Sequence, residues 1–340
     1  MTAYTKRLQK VTAVLCTTAL LAGCAAGTSD NTEPAATTAQ VKAITIEPTA
    51  AYQTMNGFGA SACWWSQEVG NWENAKDILS LLYDENSGIG LNIYRYNLGA
   101  GSKDDATITD PDRRAEAFID KDGSYHWERD AAAQNALALA KSMNEDLRVT
   151  LFSNSAPVFY TANGKAYCDY LPDDEKYVTN LEPERYADFA KYSIACAKHF
   201  TEAGYRVTGL SPINEPEWSW RGYEDGTAKQ EGCYYSKTQC RDLYKVFLEQ
   251  MAQEDALKDC RLEGWESGHI GTDTCMAYLK AMFGKSGVNG LKNSALRKGM
   301  PTLALHSYWA SPEERQAFAD AIATTYGSNY KLALTEYCQM

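Results

Sequence analysis

The chain reads as a parallel α/β protein, most simply a (β/α)8 TIM barrel that is incomplete here. Two observations predict this. Short apolar runs of strand length alternate with helix-period segments through nearly the whole chain, and several runs end directly on a polar or charged residue, as strands do at the mouth of a barrel. With 340 residues, 44% of them hydrophobic, the chain can bury a large core without splitting, since single α/β barrels commonly exceed ~200 residues.

Residues 1–24 stand apart from this pattern. Lys6, Arg7 and Lys10 give a basic start, and Val11 to Leu21 is apolar but shorter than the about 20 residues a spanning helix needs. Leu21-Ala22-Gly23-Cys24 resembles a bacterial lipobox, which implies export, cleavage before Cys24 and lipid on that sulfur. The alternative is an ordinary signal peptide with a chance cysteine. Residues 25–42, rich in Ala, Thr, Ser, Asn and Pro, lack apolar periodicity and read as a disordered tether. The expected domain is then 43–340, a membrane being touched only through the lipid anchor of an exported cell-surface or envelope lipoprotein.

Ala43 to Pro48 alternates like a half-buried strand, the N-terminal strand of a side β-domain, and precedes Met55 to Ser61, whose glycines suggest close backbone approach. Asn74 to Asn86 has helical spacing with Gly88 placed to end it, and Leu91 to Leu98 is a strand. The Ala- and Leu-rich helix Ala131 to Met143 precedes the strand Leu147 to Phe152. Pro183 opens a helix that stops at Gly204 and feeds the strand Tyr205 to Leu210. Ser236 can cap a helix through Met251, followed by the strand Arg261 to Trp265, which ends on Glu266. Asp273 to Phe283 is helical, and Pro301 to Leu305 is a strand opening into His306-Ser307-Tyr308-Trp309. Ser311-Pro312-Glu313-Glu314 is a capping box with Pro at the first helical position, and Lys331 to Thr335 is a last strand that delivers Glu336. The count is seven strands and six helices, with the eighth strand missing.

Composition narrows the partners. Without Lys6, Arg7 and Lys10, 30 basic residues face 44 acidic ones, a balance of −14 that argues against nucleic acid. Eight cysteines lie beyond Cys24 with no C-x-x-C pair and four histidines in all, so no metal-ligand spacing emerges and no cofactor is implied. Their disulfide pairing stays open among 105 possibilities.

Two carboxyls at the ends of non-adjacent strands, Glu215 after the fourth and Glu336 after the seventh, are what double displacement at an acetal carbon requires. Glu215 is the expected acid/base and Glu336 the expected nucleophile. Read alone, Asn214-Glu215-Pro216 is equally a polar turn closed by Pro, and Glu336 equally a polar residue in a terminal stub. Trp64, Trp65, Trp218, Trp220, Trp309 and Tyr160 can wall a sugar site or fill the core.

Six segments taken together resemble glycoside hydrolase family 30 of clan A. They are Gly57 to Ser61 with Trp64-Trp65, Asn92 to Gly99, Ser153 to Pro157, Ser211 to Pro216, His306 to Trp309 and Leu334 to Tyr337. The double Trp and Cys233-Tyr234-Tyr235 are similar to its endo-β-1,6-galactanase-like branch. The resemblance implies a retaining O-glycosyl hydrolase on a TIM barrel with a side β-domain whose C-terminal part is missing here. It also implies that Arg95 holds the nucleophile ionised and that Asn214 grips the hydroxyl beside the reacting carbon. Asn154, His306, Tyr308 and Glu266 are expected around the ring, with a polysaccharide, first β-1,6-galactan, as partner of a monomer. The alternatives are β-xylan or β-glucoside substrates, and a non-catalytic carbohydrate-binding lipoprotein or inactive fragment.

Overall fold

The computed structural model describes residues 54–172, 176–283, 294–326 and 330–337, and singly Thr45, Glu47 and Thr49. Residues 1–24 with Cys24, and the tether, lie outside the described residues. The chain divides into two units, Met1–Thr54 and Met55–Met340. In the first, the Glu47 carboxylate accepts bonds from the Thr49 backbone N–H (3.2 Å) and hydroxyl (2.6 Å).

The second unit is built on one seven-stranded parallel sheet in sequential order, β1 (Gly59–Ser61), β2 (Ile93–Asn97), β3 (Arg148–Phe152), β4 (Arg206–Ser211), β5 (Arg261–Ser267), β6 (Thr302–His306) and β7 (Lys331–Glu336). The first and last strands approach each other, so the sheet curls into a nearly closed, incomplete (β/α)8 barrel. The expected strand 43–48 lies largely outside the described residues, and the barrel's first strand is a further one. Of 43–48 only Thr45 and Glu47 are described; β1 lies in the glycine segment, where a Cβ on Gly59 would stand 2.4 Å from the Ile93 carbonyl oxygen. Only glycine lets two parallel backbones run that close.

Helices α1 (Ser66–Val69), α2 (Ala75–Tyr83), α3 (Ala131–Met143), α4 (Tyr186–Glu202), α5 (Lys237–Met251), α6 (Asp273–Phe283), α7 (Ser294–Gly299) and α8 (Pro312–Tyr326) connect the strands. Two of them, α1 and α7, are too short to leave a periodic signal. Helix α2 stops at Tyr83 because Asp84 turns extended and caps the following turn through Asn86 and Ser87. The predicted capping box of Ser311 with Glu314 forms, and the predicted cap Ser236 proves to be a full box with Gln239.

Strand alternation sorts the side chains. On β2, Tyr94 and Tyr96 turn outward against Tyr83 and Phe200, with ring centroids 5.6 and 5.0 Å apart, while Arg95 turns into the barrel, its guanidinium 3.4 Å from the centre of the Phe152 ring on β3. Phe189 and Phe247 close the α4–α5 interface edge to face. Each such buried ring contributes about 1.5–3 kcal/mol relative to exposure.

Two irregularities in the ladder shape the mouth. Between β5 and β6 the register steps from Trp265 to Ser267, leaving Glu266 as the extra residue, and between β6 and β7 it steps from Leu334 to Glu336, leaving Thr335 extra. A bulge rotates the chain by one side chain. Thr335 and Glu336, though consecutive, therefore both point into the same cluster of polar side chains.

Candidate active site

At the C-terminal end of the strands, β2 supplies Arg95, the turn after β3 Asn154, the turn after β4 Asn214 and Glu215, β5 Glu266, β6 His306 and β7 Glu336. In a (β/α)8 protein this is the face where catalytic groups gather.

Arg95 organises the cluster. One guanidinium nitrogen, Nη1, donates to Glu336 Oε1 at 2.7 Å and to Ser61 Oγ at 3.0 Å; Nη2 donates to Asn214 Oδ1 at 2.9 Å and lies 3.6 Å from Glu266 Oε2. From Asn214 a ladder of amides runs on through Asn154 Oδ1 (3.0 Å) to Asn97 Oδ1 (3.1 Å). These bonds fix which end of each amide faces the cavity. Glu336 receives a second bond, 2.5 Å, from the Tyr308 hydroxyl. Burial pushes the Glu336 carboxyl up, but His306, Arg95 and the Tyr308 hydroxyl outweigh it and hold it below the usual range.

Glu215 stands opposite. Its Oε1 is 2.9 Å from His306 Nδ1, and one carboxylate oxygen each from Glu215 and Glu336 lie, with a ring nitrogen of His306, within 4.8 Å of one another. Both Glu215 (φ 44°) and Glu266 (φ 58°) adopt the left-handed region, costly for a residue with a Cβ, and the Glu215 N–H donates to the Glu266 carbonyl at 2.9 Å.

His306, wholly buried, bridges the acids: Nδ1 faces Glu215 and Nε2 lies 3.3 Å from Glu266 Oε2. Burial pulls the imidazole down, yet the surrounding Glu336, Glu215 and Glu266 raise it to about 10, so it is a cation at neutral pH. Glu266 is pushed up by burial and pulled down further by Arg95 and His306, to about 2. Glu215, His306 and Glu336 each offer one ligand atom within 4.8 Å of one another, a spacing that a metal ion could also use.

The aromatic candidates separate. Trp218 and Trp309 stand exposed at the rim, 6.4 Å apart and nearly perpendicular. Trp65 donates to the Ser61 carbonyl and packs with Tyr94 against the core; Trp220 and Tyr160 also pack there, and Trp220 Nε1 donates to the Glu215 carbonyl at 2.8 Å. Trp64 lies beneath the Arg113 guanidinium, 5.7 Å from it. Sequence reading overlooked Ser61, Asn97, Phe152, Thr335 and Glu217. Period-two counting back and forth from Arg95 would have found Asn97. Glu217 Oε1 accepts from Ser267 Oγ (2.5 Å) and Gly268 N (2.7 Å), tying the turn after β4 to the end of β5.

A family model described as O-glycosyl hydrolase family 30 matches residues 41–323. An endo-β-1,6-galactanase of Hypocrea rufa is 30% identical over 218 residues, 56% of this chain and 43% of that protein. An exo-β-1,6-galactobiohydrolase of Bifidobacterium longum is 27% identical over 242 residues, 53% of this chain and 16% of that protein. Among solved structures, a conserved exported protein from Bacteroides fragilis superposes with a TM-score of 0.73 at 26% identity, over 87% of this chain and 62% of that one. The match thus spans less than half the length of both curated relatives.

Proposed function

The chain belongs to O-glycosyl hydrolase family 30, and from that premise we propose a retaining glycosidase in which Glu336 is the nucleophile and Glu215 the acid/base. What carries the reading is the pair of carboxylates facing each other across the mouth, an oxygen of each within 4.8 Å. Oxygens that close favour the about 5–5.5 Å between carboxyl groups of retaining enzymes over the about 6.5–9.5 Å of inverting ones.

In the first step a Glu336 oxygen attacks the anomeric carbon as the glycosidic C–O bond breaks, and Glu215 gives its proton to the departing oxygen. In the second, water gives a proton to Glu215 and attacks the same carbon, and the bond to Glu336 breaks. Arg95 and Tyr308 suit the attacking role because they keep Glu336 anionic and fix its two oxygens. Asn214, with one amide hydrogen beyond its bond to Asn154, can hold the neighbouring hydroxyl, and Asn154 and His306 complete the floor.

Two relatives named for β-1,6-linked galactose favour β-1,6-galactan as substrate, with Trp218 and Trp309 as platforms for it. We further propose export as a lipoprotein anchored through Cys24. Incubation with an activated 2-fluoro-galactoside is expected to add one sugar mass to the Glu336 peptide of the native chain and none to Glu336→Gln; a label that persists in the variant removes Glu336 from the role.

A further inference from the structure

The loops after β3 and β4 bring together two side chains that hydrolysis does not use. Cys168 and Cys233, distant in sequence, are 2% and 1% exposed, and their thiols lie close enough to shift each other's ionisation, Cys168 Sγ accepting from the backbone N–H of Tyr234, the residue after Cys233. The backbone around them is fixed: Cys168 N–H donates to the Trp220 carbonyl (2.9 Å), Gly222 N–H to the Cys168 carbonyl (2.8 Å), and Tyr234 N–H to Cys168 Sγ (3.4 Å). The Thr179 hydroxyl lies 3.8 Å from Cys233 Sγ. Cys63 and Cys196 have other neighbours, Asn154 and Tyr192.

We propose that Cys168 and Cys233 close into a disulfide that clamps the β3 and β4 loops together at one wall of the mouth. Two neighbouring buried thiols, Cys168 Sγ being 3.4 Å from the backbone nitrogen next to Cys233, on backbones held by other bonds, need little movement to reach bonding geometry. The oxidising surroundings come from the export reading above, on which the proposal rests for its setting. Two S–H bonds break and one S–S bond forms. The two electrons pass to a disulfide oxidant, such as oxidised glutathione, through a mixed-disulfide step, and the two protons end, by way of solvent, on the two glutathione thiols that leave. The clamp bears on catalysis through Trp220, whose carbonyl accepts from Cys168 and whose indole N–H holds the Glu215 carbonyl.

The test is a thiol map of the purified full-length chain after oxidised glutathione, alkylated in denaturant and digested without reduction. The expected result is one species joining the Cys168 and Cys233 peptides, two hydrogens lighter than their sum and lost on reduction, with a thermal midpoint that falls by about 5–10 °C when the bond is reduced. In Cys233→Ser, Cys168 is expected to become alkylable; should that variant not fold, the map of the native chain still decides. Both cysteines alkylated without reduction, or either joined elsewhere, overturns the bond, and an unchanged midpoint overturns the clamp. Because the oxidant is added to purified protein, a pair that is reduced as isolated yet closes with glutathione counts against export and for the bond.

Discussion

The mouth of the barrel and the loop layer beside β2 each bury a carboxyl completely, with opposite results. Glu266, at the mouth, is held at about 2. Glu231, whose partners are the Ala100 N–H and the Ser102 hydroxyl, is pushed up to about 7 by burial, against which those neutral donors are too weak. Equal burial therefore decides nothing by itself. Arg95 and His306, formal cations within 3.6 Å, make the mouth a place where charge persists, and its absence lets the loop layer shed charge near neutral pH.

Removing the cation should break the comparison most severely. Arg95→Met is expected to lower kcat by about 10³-fold or more, roughly 4 kcal/mol. Glu336 loses one of the groups that depress its pKa, so the acid limb of the kcat/KM profile moves to higher pH; an unmoved limb would show that Arg95 does not set the ionisation of Glu336.

The pH dependence of unfolding should sharpen it. Glu266, folded at about 2 against an ordinary 4.5, adds stability that is present above about pH 4.5 and lost as pH falls towards 2. Glu231, raised to about 7, adds stability that is present below about pH 4.5 and lost as pH rises through 7. Each swing is on the order of 3 kcal/mol. In urea titrations, Glu231→Gln should gain on the native chain between pH 5 and 8, while Glu266→Gln should close its deficit only below pH 5. Parallel curves for the two variants would refute the contrast.

A smaller effect is expected from Gly268→Ala. The added Cβ would stand 2.3 Å from Trp218 Nε1 and 2.8 Å from Glu215 Oε1, so kcat/KM should drop by about 10–100-fold, roughly 1.4–2.8 kcal/mol, with little change in thermal midpoint. Least of all should come from Leu332→Ser on β7, whose side chain is 40% exposed: within about 0.5 kcal/mol by denaturant unfolding.

The alternation of strands and helices was legible because parallel strands covered on both faces keep continuous apolar runs, as in Leu147 to Phe152. The first strand was not: three residues, one a glycine chosen for backbone clearance, carry no hydrophobic period. Glu215 and Glu336 could be named because each sits at a strand end, while Arg95, in the middle of β2, and Asn214 came only through the family resemblance. The charge state of His306 could not, since it depends on three acids arriving from β4, β5 and β7, a matter of distance and not of order along the chain. Nor does residue type tell Trp65, turned into the core, from Trp218 at the rim.

The skipped residue at Thr335 has a consequence for anyone transplanting this site. Orientation along β7 is a matter of odd and even, and the step between Leu334 and Glu336 changes the parity once. Forcing an uninterrupted ladder with Thr335 retained would pair Thr335 with His306 and turn the carboxylate away from Arg95, whereas deleting Thr335 would leave Glu336 beside His306. A graft onto another barrel that keeps Thr335 should therefore preserve the miscount itself, and an alignment that tidies it away would move the carboxylate to the wrong side of the wall.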